Sequence, residues 1–198
     1  IAAFLITISL ALSAIYINLL NCALILLAIL SYTVYYTLFL KKSSPFGTVL
    51  GGIPGALPVI IGYSSIQPEV SMGYMDIIVL FLFMMVWQPP HFWALAQHLR
   101  DDYKKGGFPT MPIVYGQEFT NYLIMIYSLA LLPISLYFWI VGICSNFYGI
   151  MAIILGLSFL YLVFLSFKEK KHYKSVFLFS ILYMLLINIF ISVDIIFL

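Results

Sequence analysis

The residues best suited to chemistry lie between Trp87 and Lys105, where two imidazoles and two carboxylates are set among aromatic and basic side chains. If one helix carries the stretch, 100° of rotation per residue keeps His91, His98 and Asp102 within a few tens of degrees of one another, on a common face. At 1.5 Å per residue His91 is roughly 16 Å from Asp102. An imidazole then lies deep, and a carboxylate stands at the rim where Arg100, Asp101, Tyr103, Lys104 and Lys105 collect. Carboxylates hold magnesium, magnesium binds phosphate oxygens, and Lys or Arg offsets the remaining charge. Lys41 and Lys42 fall on the same side and can join them. Beside a greasy cavity, such a mixture suits a metal-bound diphosphate with an apolar tail. The plainer alternatives are a hydrogen-bonded packing histidine and interfacial charges that only set topology, above all for Lys104, Lys105 and the 168–174 run.

Composition decides which elements hold these residues. Only 8% of the 198 residues are charged while 64% are hydrophobic, and mean hydropathy is +1.12, against about a quarter charged in a soluble domain. The solvent is therefore lipid. Since a spanning helix needs roughly 20 apolar residues, the chain holds about seven, as one all-α transmembrane domain over 1–198. A net charge of +2 with scattered basic residues excludes a nucleic-acid surface. Cys22 and Cys144 stand apart in apolar surroundings, as packing residues. The chain opens on Ile1 inside an apolar run with no signal-peptide pattern, and the expectation is that an N-terminal part of the same domain precedes it.

Apolar periodicity and turn residues predict helices at 1–17, 21–40, 46–66, 73–99, 119–142, 147–167 and 175–197. The breaks fall at Asn18 to Asn21, Lys41 to Pro45, Gln67 to Met72, Arg100 to Gln117, Ile143 to Asn146 and Lys168 to Lys174. With alternating helices, the second, fourth and sixth connections share a side and hold Lys41, Lys42, Arg100, Lys104, Lys105, Lys168, Lys170, Lys171 and Lys174, which are all nine basic residues. Glu69 and Asp76 lie opposite. The positive-inside rule puts the basic connections in the cytoplasm. Asp194 falls near the other end and receives no role.

Two segments are unusual for lipid-facing helices. Gly47, Gly51, Gly52, Pro54, Gly55, Pro58 and Gly62 form a small-residue wall, suited either to close helix packing or to lining a cavity for a flat or chain-like ligand. Pro89 and Pro90 remove two backbone donors, which should kink the helix or start a new one and leave carbonyls near Met84 to Val86 in need of partners. Irregular backbone at membrane depth is tolerated only inside protein or beside a cavity, so His91 does not face lipid.

Three stretches carry a resemblance to a known family. The first runs from Tyr36 through Lys41 and Lys42 to Pro45, then from Gly47 through Gly51-Gly52-Ile53-Pro54-Gly55 to Pro58, with Gly62-Tyr63 beyond. The second is Trp87-Gln88-Pro89-Pro90-His91-Phe92-Trp93-Ala94-Leu95-Ala96. The third is Asp102-Tyr103 with Phe108-Pro109-Thr110-Met111-Pro112-Ile113-Val114-Tyr115-Gly116. In order and spacing they resemble the haem O synthase (protohaem IX farnesyltransferase) branch of the UbiA-type intramembrane prenyltransferases, most strongly over residues 35–120. The Trp-to-His stretch discriminates, because quinone prenyltransferases place an aspartate-rich motif there.

The resemblance implies a nine-helix fold of which these seven are the third to ninth, with a first aspartate-rich motif expected ahead of Ile1. It implies transfer of farnesyl from farnesyl diphosphate to a vinyl group of haem b, with haem b as substrate, magnesium bound with the diphosphate, and a partner such as haem A synthase or a terminal oxidase assembly. The location implied is a bacterial or mitochondrial inner membrane. Tyr36, His91 and Asp102 are then catalytic; Lys41, Lys42 and Arg100 bind diphosphate; Trp87, His91 and His98 contact haem; and Asp102 with Asp101 holds metal. Tyr36 is expected one turn above Lys41. The residues themselves leave open a quinone or other aromatic acceptor. A transporter is also open to a broken helix with a buried His, although no internal repeat supports one.

Overall fold

The computed structural model describes residues 1–66 and 73–197, and the break expected at Gln67 to Met72, Glu69 included, lies outside them. The helices are α1 Ala2–Tyr16, α2 Leu19–Ser43, α3 Gly47–Ile66, α4 Tyr74–His98, α5 Arg100–Lys105, α6 Met111–Val114, α7 Gln117–Ile140, α8 Asn146–Glu169 and α9 Tyr173–Phe197. The chain is an all-α polytopic membrane protein. Six of these helices are long and apolar enough to cross a bilayer. The seventh expected span, α1, has 15 residues and covers roughly 22 Å, short of the ~30 Å hydrocarbon core.

The helices divide into two groups. α4, α7, α8 and α9 pack on one another as a four-helix bundle, while α3, α2 and α1 extend from α4 in that order as a limb. The bundle interior is aromatic: Phe159 stacks on Tyr183 at 5.5 Å and Phe83 lies 6.0 Å from the same ring. Fully buried Tyr148 donates to the Ser135 carbonyl at 2.5 Å, which pairs its hydroxyl in a waterless interior.

The limb is held by polar groups. Asn21 is fully buried; its amide nitrogen donates to the Ile61 carbonyl at 2.7 Å, Ser64 at 2.9 Å and Ser65 at 2.7 Å, and its oxygen accepts from Ser13 at 2.8 Å. Asn18 caps α2 through the Asn21 N–H and also donates to the Ser64 carbonyl. What the sequence marks as a break is thus a clasp joining α1, α2 and α3.

At one end, Asp194 accepts from both the backbone N–H and the hydroxyl of Ser145, the residue that caps α8. A carboxylate at a helix N-terminus meets unpaired N–H groups and the positive end of the helix dipole. Burial, and then that carboxylate, push the Cys144 thiol up to about 11, which suits a packing cysteine. The opposite end carries the second, fourth and sixth connections. Lys41 lies over the Phe108 ring at 5.4 Å, and Lys170 pairs with Glu118 at 2.7 Å, a contact that raises the lysine above its ordinary range. All nine Lys and Arg residues belong to this basic end.

Of the two outcomes expected at the proline pair a new helix does not occur, and α4 runs unbroken through Pro89 and Pro90 as the predicted helix 73–99 does. The helix ends instead at His98, where Leu99 leaves helical geometry at φ −102°, ψ 28° and α5 begins at Arg100. The constant register that placed His91, His98 and Asp102 on one face therefore reaches only as far as His98.

Candidate active site

Between α2, α3, α4 and the 103–111 connection lies a pocket of about 250 Å³ at the basic end, lined among others by Tyr36, Lys41, Gly47, Thr48, Trp93, Tyr103, Phe108 and Thr110. Local winding puts Tyr36 and Lys41 there together. From Ser31 to Leu40 the helix is a π-helix, in which the Lys41 N–H bonds the Tyr36 carbonyl. On an α-helix, residues five apart point roughly 140° away from one another; the wider turn lets residues five apart lie one above the other. Tyr36 does stand one turn above Lys41, on a π-turn. Its ring rests on Gly51, where a Cβ would collide with it, and lies tilted by 30° against Tyr32 at 5.6 Å.

The pocket walls hold polar atoms that the protein leaves unsatisfied. The Thr48 hydroxyl, the Trp93 indole N–H and the Thr110 hydroxyl are each buried without a hydrogen-bond partner. An unpaired buried polar group costs roughly 1–3 kcal/mol. All three belong to residues that line the same pocket as Lys41. Neither threonine is singled out as a site residue in the sequence. A threonine inside a glycine run and another inside Phe108-Pro109-Thr110-Met111-Pro112 were the available signals.

His91 is held deeper, 7% exposed, on the side of α4 that meets α9. Its ring is sandwiched between Trp87 and Phe177, each 4.6 Å away. Nδ1 lies 2.8 Å from the Ser180 hydroxyl, which itself donates to the Phe177 carbonyl at 2.6 Å. With its proton spent there, Ser180 accepts, so Nδ1 carries the hydrogen and the lone pair is on Nε2. Trp87 is locked by its N–H to the Ser180 carbonyl at 2.7 Å.

The expected site residues therefore sort into three places. Tyr36 and Lys41 line the pocket, and Trp87 and His91 lie together inside the bundle. Lys42, His98, Arg100, Asp101 and Asp102 are exposed at the basic rim, outside the pocket wall, although Asp102 directly precedes the pocket residue Tyr103. The structure does not bring His91, His98 and Asp102 into one cluster. Among the described residues no three His, Cys, Asp or Glu side chains converge as a metal site. Asp101 and Asp102 instead fit a magnesium ion delivered on phosphates, which needs only one or two protein carboxylates.

Comparison with known proteins gives a consistent picture. The model of the UbiA prenyltransferase family matches residues 1–189. A protein from Geotalea uraniireducens named protoheme IX farnesyltransferase is 45% identical over 177 residues, covering 89% of this chain and 67% of that protein. Proteins of the same name from Aquifex aeolicus and Rickettsia bellii are 39% and 41% identical, with 60% and 58% of their lengths covered. The chain thus spans roughly three fifths of most of these relatives. Among solved structures, a digeranylgeranylglyceryl phosphate synthase superposes with a TM-score of 0.81 at 22% identity over 99% of this chain and 68% of its own, a likeness of fold.

Proposed function

The chain belongs to the UbiA prenyltransferase family, and from that premise we propose that it transfers the farnesyl group of farnesyl diphosphate to a vinyl group of haem b, giving haem O for a terminal haem-copper oxidase. The observation that carries this reading is the basic-end pocket, where Lys41 stands beside the unpartnered donors of Thr48, Trp93 and Thr110. Relatives named for farnesyl transfer to protohaem support the choice of substrates.

In this mechanism the carbon–oxygen bond of farnesyl diphosphate breaks and the electron pair leaves with the diphosphate. The vinyl π pair forms the new carbon–carbon bond, water adds to the resulting cation, and its surplus proton goes to solvent. Lys41 and the Thr48, Trp93 and Thr110 donors take the charge developing on the leaving oxygens, preorganised and shielded from water, where such contacts act most strongly. Lys42 and Arg100 draw the diphosphate to the rim. The Tyr36 ring shields the allylic cation by its π face. Magnesium, held by Asp102 with Asp101 beside it, would neutralise diphosphate charge. His91 presents the Nε2 lone pair to haem, its tautomer fixed by Ser180, with Trp87 stacked behind it and His98 nearer the surface. By the positive-inside rule the basic end is cytoplasmic, in a bacterial inner membrane or its mitochondrial counterpart, and haem A synthase or the oxidase assembly would consume the product.

Incubating the purified protein in lipid nanodiscs with labelled farnesyl diphosphate and haem b tests the proposal. Label should appear in a haem of higher mass, and His91→Ala should abolish it. Label in a quinone instead, or in no acceptor, would overturn the assignment.

A further inference from the structure

The connection from Leu99 to Gly116 supplies Tyr103, Phe108, Pro109, Thr110 and Met111 to the basic-end pocket. Both of its ends are irregular. α4 stops at Leu99, and α7 starts from Gly116 at φ +86°, backbone that favours glycine. Gln97 stands between these two stems. It lies one turn beyond Trp93 on α4, outside the pocket wall, and is 6% exposed. Its amide nitrogen donates to the Gln117 carbonyl at 2.9 Å and to the Asn121 side-chain oxygen at 2.9 Å. One side chain thus joins the last turn of α4 to the start of α7, across the base of the connection.

The far side of this clasp is anchored in turn. The buried Tyr173 hydroxyl of α9 accepts from the amide nitrogens of Gln117 at 2.9 Å and Asn121 at 3.1 Å. For the stability of the fold, Gln97 is close to neutral. Its side-chain oxygen is buried without a partner, and such a group is costly. An apolar residue of the same bulk would remove that orphan and leave the Asn121 oxygen as another, while the Gln117 carbonyl keeps its place in the α7 ladder. What the exchange loses is the fixed separation of the stems.

We propose that Gln97 is a positioning residue for the diphosphate, a role that rests on the farnesyl-transfer proposal above. By clasping the stems it holds the connection, and with it Thr110, on the wall shared with Lys41. Without the clasp the connection spends time in arrangements where those contacts are incomplete, and the apparent affinity falls with the fraction of competent molecules. Bound diphosphate restores the arrangement, so turnover at saturation is kept.

The test uses the protein in lipid nanodiscs. Gln97→Met keeps the bulk and removes both hydrogen bonds. The dissociation constant of farnesyl diphosphate should rise about fivefold, the scale of losing two bonds of the mean strength found between membrane helices. At saturating substrate, kcat for transfer to haem b should stay within about twofold. Hydrogen exchange over residues 99–116 should quicken in the free variant and return to the parent rate when farnesyl diphosphate is saturating. Gln97→Asn, whose amide stops one carbon short, should behave alike and stands in should the methionine protein fail to fold.

An unchanged dissociation constant overturns the proposal. So does a fall in kcat with the constant unmoved, the mark of a variant that merely folds less well, or exchange that quickens over the whole molecule. Magnesium diphosphate, which has no tail and needs no acceptor, should show the same fivefold weakening. A parent protein that binds it with the expected shift in the variants, and yet transfers nothing to haem, would refute the transfer reading and leave the positioning role standing.

Discussion

The bundle of α4, α7, α8 and α9 and the limb of α1, α2 and α3 solve the same problem, stability in lipid, by different means. Over an apolar 18-residue stretch half the residues of α4 are buried, against 6% of those of α2. The bundle is held by interlocking rings around the hydrogen-bonded Tyr148. The limb is held at a few points, the Asn21 clasp and the glycine contacts of α3. The candidate chemistry divides along the same line. The imidazole of His91, whose tautomer must be fixed, comes from the bundle, while Tyr36 and Lys41, which must meet a ligand, come from the limb. A rigid interior sets orientation, and a lightly attached wall offers its polar groups to the pocket.

The sharpest way to break this comparison is to remove the limb's charge. Lys41→Ala should lower kcat/KM for farnesyl transfer about a hundredfold, the scale of losing one preorganised donor to a developing anion. Lys170→Ala, at the same end but paired with exposed Glu118, should leave the rate within about twofold, since exposed ion pairs contribute little. Equal losses in a steady-state assay would mean that general positive charge, and not the pocket, is what matters. The next effect is on the limb's attachment. Asn21→Leu removes four hydrogen bonds and should cost about 2–3 kcal/mol, given measured means near 0.6 kcal/mol per intramembrane bond plus the stranded serines. Steric-trapping unfolding should show α1 and α2 loosening while the α7–α9 core keeps its stability. A uniform loss across the molecule would show that the two parts are one cooperative unit.

The long helices were legible because lipid demands continuous apolar runs, and all seven expected segments appear within a few residues of their expected bounds. The common end of the basic residues was legible from alternation alone. What composition could not give was winding. The π-turns that bring Tyr36 over Lys41 are not encoded by periodicity, whereas the passage through Pro89-Pro90 and an end near Leu99 already lie within the predicted helix 73–99. Nor could it tell that Asn18 and Asn21 are a clasp, because an Asn at a helix boundary reads as a turn residue whether its amide meets water or three buried acceptors. The glycine run shows both readings at once: Gly51 and Gly55 serve close packing, while Gly47 lines the pocket.

A smaller effect probes the seam where the two parts meet. Gly55 lies under Gln88, and an added Cβ would meet the amide oxygen and carbon of that side chain. Gly55→Ala alone should therefore displace Gln88 from the Gly52 carbonyl to which it donates, costing about 1–2 kcal/mol as overpacking does in a well-filled interior. In Gln88→Ala the same substitution has nothing to strike, and the cost should fall to near zero, because contacting residues couple while distant ones add. A double-mutant cycle by reversible unfolding in mixed micelles measures that difference. Additive losses would mean that α3 and α4 hold together independently of the contact between Gln88 and Gly55.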